Sequence, residues 1–392
     1  MKEKTTTALK NIFIFSPFGF FMTFFVLLLV LFLVYPTIFD SGEGEPKTAE
    51  QNTLQKIIEN NLFNDNEYEL IPLDTVAYDK KLLELANNPP PPPPTTKRTT
   101  DPKTGEVTTT TIEPKPVKPN IWPAKTVYPN AGAILPFNRI IAYYGNLYSR
   151  KMGVLGEYDE EIMFQKLQTE VKKWEVADPK TPVIPALHYI VVVAQGSAGK
   201  DGKYRARMPD KEIDKVIAMA EKINAIVFLD IQVGLSNLQA EVPAFEKYLK
   251  MPRVHLGIDP EFSMKTGVKP GKVVGTLDAE DINFTINYLD KIVKENNLPP
   301  KVLIVHRYTK KMITNYKQIK PTADVQVVIH MDGWGGGAKK IGTYKNFIYP
   351  EPVQFTGFKL FYKNDLWGEG DKMLTPEELL KLNPIPSYIQ YQ

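Results

Sequence analysis

The sequence predicts an α/β chain: a TIM-like (β/α)8 barrel over residues 121–392, preceded by an N-terminal transmembrane helix and a Pro/Thr-rich linker. Three observations predict the barrel. Eight short runs rich in β-branched and aromatic residues follow Arg139, nearly all separated by amphipathic stretches. The runs are apolar almost without a break, as strands covered on both faces are. Polar residues gather at their C-terminal ends, not at their starts. Strand–helix alternation implies a parallel sheet with right-handed crossovers, and eight units in about 250 residues is the size of a closed barrel. The competing arrangement is an open doubly wound sheet. Its nucleotide-binding form carries a glycine fingerprint after the first strand, and "YYGNLYSRKMGVLGEY" contains no G-x-G-x-x-G.

The first element is the anchor, residues 1–39. No charged residue falls between Asn11 and Phe39. A helix needs ~20 apolar residues to cross a bilayer, whereas the apolar core of a signal peptide is ~7–15 residues and ends at small residues. No A-x-A site follows here, and there is no cysteine for a lipid attachment. Lys2, Lys4 and Lys10 precede the segment, while Asp40, Glu43 and Glu45 follow it. The excess of basic residues before the span places the N-terminus in the cytoplasm and the remainder outside, on the periplasmic side or at the cell surface.

Residues 40–88 form a juxtamembrane segment. Leu54, Ile57, Ile58 and Leu62 repeat at helical spacing, and "DKKLLELANN" suggests a second short helix. Residues 89–120 are the linker. Pro89 to Pro94 favour polyproline II, a semi-rigid spacer of ~3.1 Å per residue. The tract "TTKRTTDPKTGEVTTTTIEPKPVKP" has almost nothing to bury and is expected to be disordered. Protein partners, if any, are expected to meet the chain through residues 40–120.

Within the barrel, strands are expected over 139–145, 186–194, 225–234, 253–262, 301–309, 325–333, 355–363 and 387–392. The intervening helices are "DEEIMFQKLQTEVKKWEV", "DKEIDKVIAMAEKIN", "LQAEVPAFEKYLK", "DAEDINFTINYLDKIVKENN", "KKMITNYKQIK", a weaker one near "KKIGTYKNF", and "TPEELLKL". The net charge of +3 gives no global attraction to nucleic acid. The absence of cysteine excludes disulfides, thiolate metal sites and a cysteine nucleophile.

The strand ends carry the functional signal. Tyr143, Tyr144 and Asn146 end the first strand, and Gln195 the second. Asp230 and Gln232 end the third, Asp259 and Glu261 the fourth. His306 and Arg307 end the fifth, and His330, Asp332 and Trp334 the sixth. Side chains alternate along a strand, so Asp230 with Gln232, Asp259 with Glu261, and His330 with Asp332 share faces. Burying unpaired charge is costly, so this concentration predicts a pocket at the rim where barrel sites form. His188 and His255 come early in their strands and read as structural. Trp122 and Trp174 read as packing residues.

Three chemistries fit such a pocket. Glycoside hydrolysis needs two carboxyl groups, ~5–5.5 Å apart for retention or ~6.5–9.5 Å for inversion. Glu261 is the candidate proton donor. Asp259 would orient it or raise its pKa by like-charge proximity. The second carboxylate is Asp230 or Asp332. Tyr143, Trp334 and Trp367 offer platforms for sugar rings, with Tyr144, Asn146, Gln232, His306, Arg307 and His330 as further substrate contacts. No metal or cofactor is needed for this chemistry, and a polysaccharide suits the exposed location. The seventh strand, "FTGFKLFYKND", carries Lys359 and Asp365 but no glutamate at its tip. That leaves a non-catalytic glycan- or protein-binding barrel as an alternative. A second alternative is a metal-dependent hydrolase with Asp230, Asp259, His306, His330 and Asp332 as zinc or manganese ligands, although no H-E-x-x-H is present. "QGSAGKDGKYRAR" lacks the end of a phosphate loop. It reads as a mobile solvated loop, with a lid that brings Lys200, Lys203, Arg205 and Arg207 to an anionic substrate as the other reading. No G-x-S-x-G supports serine chemistry.

"IIAYYGNLYSRKMGVLGEY", "HLGIDPEF", "PGKVVGTLDAEDIN", "VLIVHRYT" and "FTGFKLFYKND" resemble a group of bacterial envelope proteins with a glycosidase-like TIM barrel, many of them lipoproteins or membrane-anchored. The resemblance covers about residues 135–392. It implies the barrel and the envelope location, and assigns neither substrate nor catalytic residues. This chain differs from the lipoproteins in carrying a transmembrane span.

Overall fold

A computed structural model of the chain describes residues 72–90, 93–112 and 120–392. The segment expected to cross a membrane and the helix expected around Leu54–Leu62 lie outside the described residues. Among the described residues, no helix is long and apolar enough to cross a membrane.

All eight expected strands are present: β1 (Arg139–Gly145), β2 (Val183–Ala194), β3 (Ile226–Ile231), β4 (Val254–Ile258), β5 (Lys301–Arg307), β6 (Val325–Met331), β7 (Phe355–Leu360) and β8 (Tyr388–Tyr391). Each pairs in parallel with its neighbour in sequence, and β8 pairs with β1 to close the barrel. One parity packs against the helices: Ile141, Tyr143, Val191, Leu229, Ile258, Val305, Ile329 and Phe358 belong to the outer core. The other parity fills the interior, where Ile140, Ala142, Ala186, Phe228, Ile304 and Val328 cluster toward the strand starts. This double burial is why the runs are apolar without alternation.

The longer helices are α1 (Thr75–Ala86), α2 (Glu160–Ala177), α3 (Asp210–Lys222) and α4 (Ala279–Asn296). In α4 the Asp278 side chain accepts from the Glu280 and Asp281 amides, and Asp281 accepts from the Asp278 amide at 3.0 Å. That reciprocal cap fixes the start, and Asn297 in the left-handed conformation ends the helix. Ile282, Ile286, Leu289 and Val293 form its buried stripe.

Two expected helices are corrected. "LQAEVPAFEKYLK" breaks into three short turns, Leu238–Glu241, Val242–Phe245 and Glu246–Leu249, because Pro243 lacks the amide a continuous helix needs. "KKMITNYKQIK" forms no α-helix. Its Ile313–Thr314 pairs instead with Leu277–Asp278.

The segment before the barrel also differs from expectation. α1, the helix expected in "DKKLLELANN", packs on the N-terminal end of the barrel rather than standing apart. The Asp74 carboxylate caps it by accepting from the Val76 and Ala77 amides, both at 3.0 Å. Tyr78 is buried with Ile134, Leu135 and Ile140, and the Leu85 carbonyl accepts from the Ile385 amide at 2.7 Å. Within the linker, Thr95–Thr100 and Val107–Ile112 form an antiparallel hairpin, with Thr95 opposite Ile112 and Thr100 opposite Val107. Its turn is organised by Asp101, whose carboxylate accepts from the Lys103 and Thr104 amides. All its side chains are exposed, which agrees with a tract that has little to bury.

Candidate active site at the C-terminal rim

A cleft of about 750 Å³ opens at the C-terminal ends of the strands, lined among others by Tyr144, Gln232, Asp259, Glu261, Asp332 and Trp334. The strand parity that buries Ile140 and Ala142 inward also turns Tyr144 inward. Its hydroxyl donates to Asp230 Oδ2 at 2.9 Å. Asp230 lies under the cleft and is fully buried. His188 Nε2 lies 3.2 Å from Asp230 Oδ1, and His306 Nε2 lies 3.3 Å from the same oxygen. The second is an ion-pair distance without hydrogen-bond alignment.

His306 bridges two carboxylates. Its Nδ1 is 2.7 Å from Asp332 Oδ2. Burial lowers its pKa, but Asp230 and Asp332 outweigh burial and push it up to about 10. Burial raises Asp230, yet His306 and His188 hold it well below the usual carboxylate range. Asp332 carries the Lys359 ammonium at 3.0 Å from Oδ1. Against burial, Lys359 and His306 together keep Asp332 ionised. Lys359 in turn stands 3.9 Å above the Tyr144 ring, a cation–π contact. His188 is pushed down to about 4 by burial, despite Asp230. As a neutral imidazole it donates from Nε2 and accepts at Nδ1 from the Tyr388 hydroxyl, 2.5 Å away.

The fourth-strand acids behave oppositely. Asp259 Oδ1 accepts from the Glu261 amide at 3.0 Å, and Gln232 Nε2 approaches Oδ2 at 3.5 Å. Burial raises Asp259 well above the usual range, with Glu261, Asp230 and Asp332 adding to it against His306. Glu261 is raised by burial and then by Asp332, partly offset by a hydrogen bond from Tyr308. The cleft therefore holds one ionised carboxylate, Asp332, facing a carboxyl group that retains its proton to higher pH. Trp334 stands at the rim. It meets Trp367 edge-on at 5.0 Å, and Lys339 lies 4.7 Å over its ring.

Several expected site residues lie elsewhere. Tyr143 faces outward and its hydroxyl meets that of Tyr362 at 2.8 Å, since adjacent residues on a strand cannot both face the barrel interior. For the same reason Arg307 turns away from His306, donating to Glu351, Thr309 O and Lys310 O. Asn146 staples its loop, donating to Ile190 O and accepting from the Tyr148 amide. His330 is buried inside the barrel and does not reach the cleft. Trp367 is exposed and touches the site through Trp334. Asp230 and His306 sit below the floor and do not line it. The loop after β2 is tied down: Arg205 and Arg207 pair with the buried Glu241 at 2.8 and 2.7 Å.

Sequence reasoning missed His188, Tyr308, Tyr388 and Gln390, and mentioned Lys359 without using it. Parity was the available signal for Lys359, Tyr388 and Gln390. His255 holds its expected structural place, its Nδ1 accepting from the Val302 amide at 3.1 Å.

No protein-family model and no curated protein matches the chain. Among solved structures, a mutant form of Thermotoga maritima Cel5A in complex with cellobiose is similar at a TM-score of 0.32 and 13% identity, covering 65% of this chain and 88% of that one.

Proposed function

We propose that this protein cleaves a glycosidic bond of an envelope or surface polysaccharide, with Glu261 as proton donor and Asp332 as the ionised partner carboxylate. The observation that carries the reading is that both groups line one cleft while their surroundings shift their pKa values in opposite directions. Paired carboxyl groups separated in this way are how acid and base roles are divided at neutral pH. Of the two sequence candidates for the second carboxylate, Asp230 is enclosed beneath Tyr144 and Asp332 borders the cleft. Lys359 and His306 hold Asp332 in place and keep it charged. Asp259 receives the Glu261 amide and so fixes the turn that aims the donor. Trp334, backed by Trp367, gives a sugar ring an apolar face at the rim.

The segment Asn11–Phe39 and its flanking charges support a membrane-anchored protein with the barrel outside the cytoplasm, where such a polymer is met. The test is release of reducing ends from cell-wall and surface polysaccharides by the full chain. Glu261→Gln and Asp332→Asn should each lower kcat by ~10²–10⁴-fold, the range for acid–base groups. Wild type that binds glycan without cleaving it, indistinguishably from both variants, would make the barrel a glycan-binding module instead.

A further inference from the structure

Beneath the floor of the cleft, three side chains converge on one point that the hydrolytic reading does not employ. His188 Nε2 and His306 Nε2 lie 3.2 and 3.3 Å from the same atom, Asp230 Oδ1. One donor atom from each of the three residues falls within 4.8 Å of the other two. All three are fully buried.

Each imidazole is held from behind through Nδ1. In the tautomer that frees Nε2 for a metal, the His188 proton sits on Nδ1, which lies 2.5 Å from the Tyr388 hydroxyl oxygen and donates to it. His306 is fixed by Asp332 at 2.7 Å. Anchoring one ring nitrogen to an outer partner is how proteins aim the other at a metal ion. A separate observation points the same way. His306 Nε2 makes no aligned hydrogen bond, and His330, fully buried with its ring 5.1 Å from that of His306, leaves both nitrogens without a partner among the described residues. Buried polar atoms are ordinarily satisfied, so the unpartnered nitrogens beside this cluster point to a ligand that would satisfy them. Two glycines let these side chains come together against the strands. A Cβ on Gly257 would stand 2.3 Å from Asp230 Oδ1 and 2.5 Å from His188 Nε2, and one on Gly357 would stand 2.6 Å from His330 Nδ1.

We propose that His188, Asp230 and His306 bind a single divalent cation of the zinc type below the cleft, with His330 as the adjacent imidazole available to its shell. Two imidazoles and one carboxylate suit zinc better than the hard oxygen-seeking cations. The ion takes the place of protons on the imidazoles, so its uptake releases protons. Bound there it touches no substrate. It positions Asp332 through His306, the imidazole between them.

Full-length protein, stripped with a chelator and dialysed, should take up one zinc per chain when titrated calorimetrically with zinc chloride, confirmed by elemental analysis. Tyr388→Phe keeps the buried ring and removes the outer hydrogen bond. It should weaken uptake ~10–100-fold, the range for outer partners of metal ligands. His306→Ala should abolish uptake. Glu261→Gln should bind zinc as wild type does while losing hydrolysis, which separates a failure of this inference from a failure of the hydrolytic reading. Folded wild type that takes up no zinc overturns the proposal. Uptake that survives both His306→Ala and Tyr388→Phe unchanged does so too. Should His306→Ala not fold, Tyr388→Phe decides.

Discussion

At the scale of single residues, position along a strand decides role. Asp259, Glu261 and Asp332 were legible because they fall at strand ends on one parity. Tyr143 and Tyr144 show the limit: neighbours cannot both face inward, and only the pairing with Ile140 and Ala142 selects Tyr144. His188 was hidden for another reason. β2 begins at Val183, three positions before the apolar run suggests, and its pairing with β3 shifts between Ile190 and Val192. The earlier start moves His188 from the quiet end to the middle of the strand, into the polar network. Gly257 gives a sharp residue-scale prediction. Gly257→Ala would press a methyl against Asp230 and His188, and overpacking of this kind costs ~1–3 kcal/mol. Thermal unfolding should show the loss, together with reduced hydrolysis. A second prediction concerns pH. Glu261 must hold its proton to act as donor, and its pKa is raised above the ordinary 4.5 by burial and Asp332. Activity should therefore fall as pH rises through that raised value. The Tyr308 hydrogen bond lowers it, so Tyr308→Phe should move the fall to higher pH. A pH–rate profile unchanged by Tyr308→Phe would remove Glu261 from the donor role.

At the scale of elements, the eight strands were readable because each had to be apolar on both faces, a pattern that survives without any knowledge of neighbours. The helices were less readable where a local feature competes with the period. Pro243 breaks one, and the pairing of Ile313–Thr314 with Leu277–Asp278 claims part of another. The packing of α1 on the barrel was hidden for want of tertiary information. The apolar face of α1 looks like any short amphipathic helix until Tyr78 is seen against Ile134, Leu135 and Ile140. Gln326 extends the same closure, accepting from the Leu135 amide at 3.0 Å and donating to its carbonyl at 2.6 Å. A chain beginning at residue 120 should consequently melt well below one beginning at residue 72. Tyr78→Ala in the longer chain should cost ~3 kcal/mol, as removal of a buried aromatic does, with KM unchanged because the cleft lies at the other end. Equal melting temperatures for the two chains would show α1 to be a bystander.

At the scale of the whole molecule, the barrel is polarised along its axis. Ile140, Ala186, Phe228 and Ile304 fill one end, while Asp259, Glu261, Asp332 and Lys359 converge at the other. That polarity was legible from the sequence as a gradient along each strand. A cleft of this kind is useful on a polymer only if the polymer can reach it, so the hydrolytic reading and the placement of the chain stand together. Residues 11–39 carry no charge, with lysines before and acids after, and the proposed anchoring follows from this asymmetry, which in a spanning segment favours the N-terminus inside. Two measurements follow. The full chain should sediment with membranes and leave them only in detergent, whereas a chain lacking residues 1–39 should remain in solution. Protease added to intact cells whose outer layer has been opened should cut the chain between the proposed anchor and α1 and liberate a folded fragment still able to act on glycan. Protection of the whole chain until the inner membrane is breached would put the barrel in the cytoplasm. An envelope polymer would then be out of its reach, and the substrate class would have to be sought among cytoplasmic glycosides.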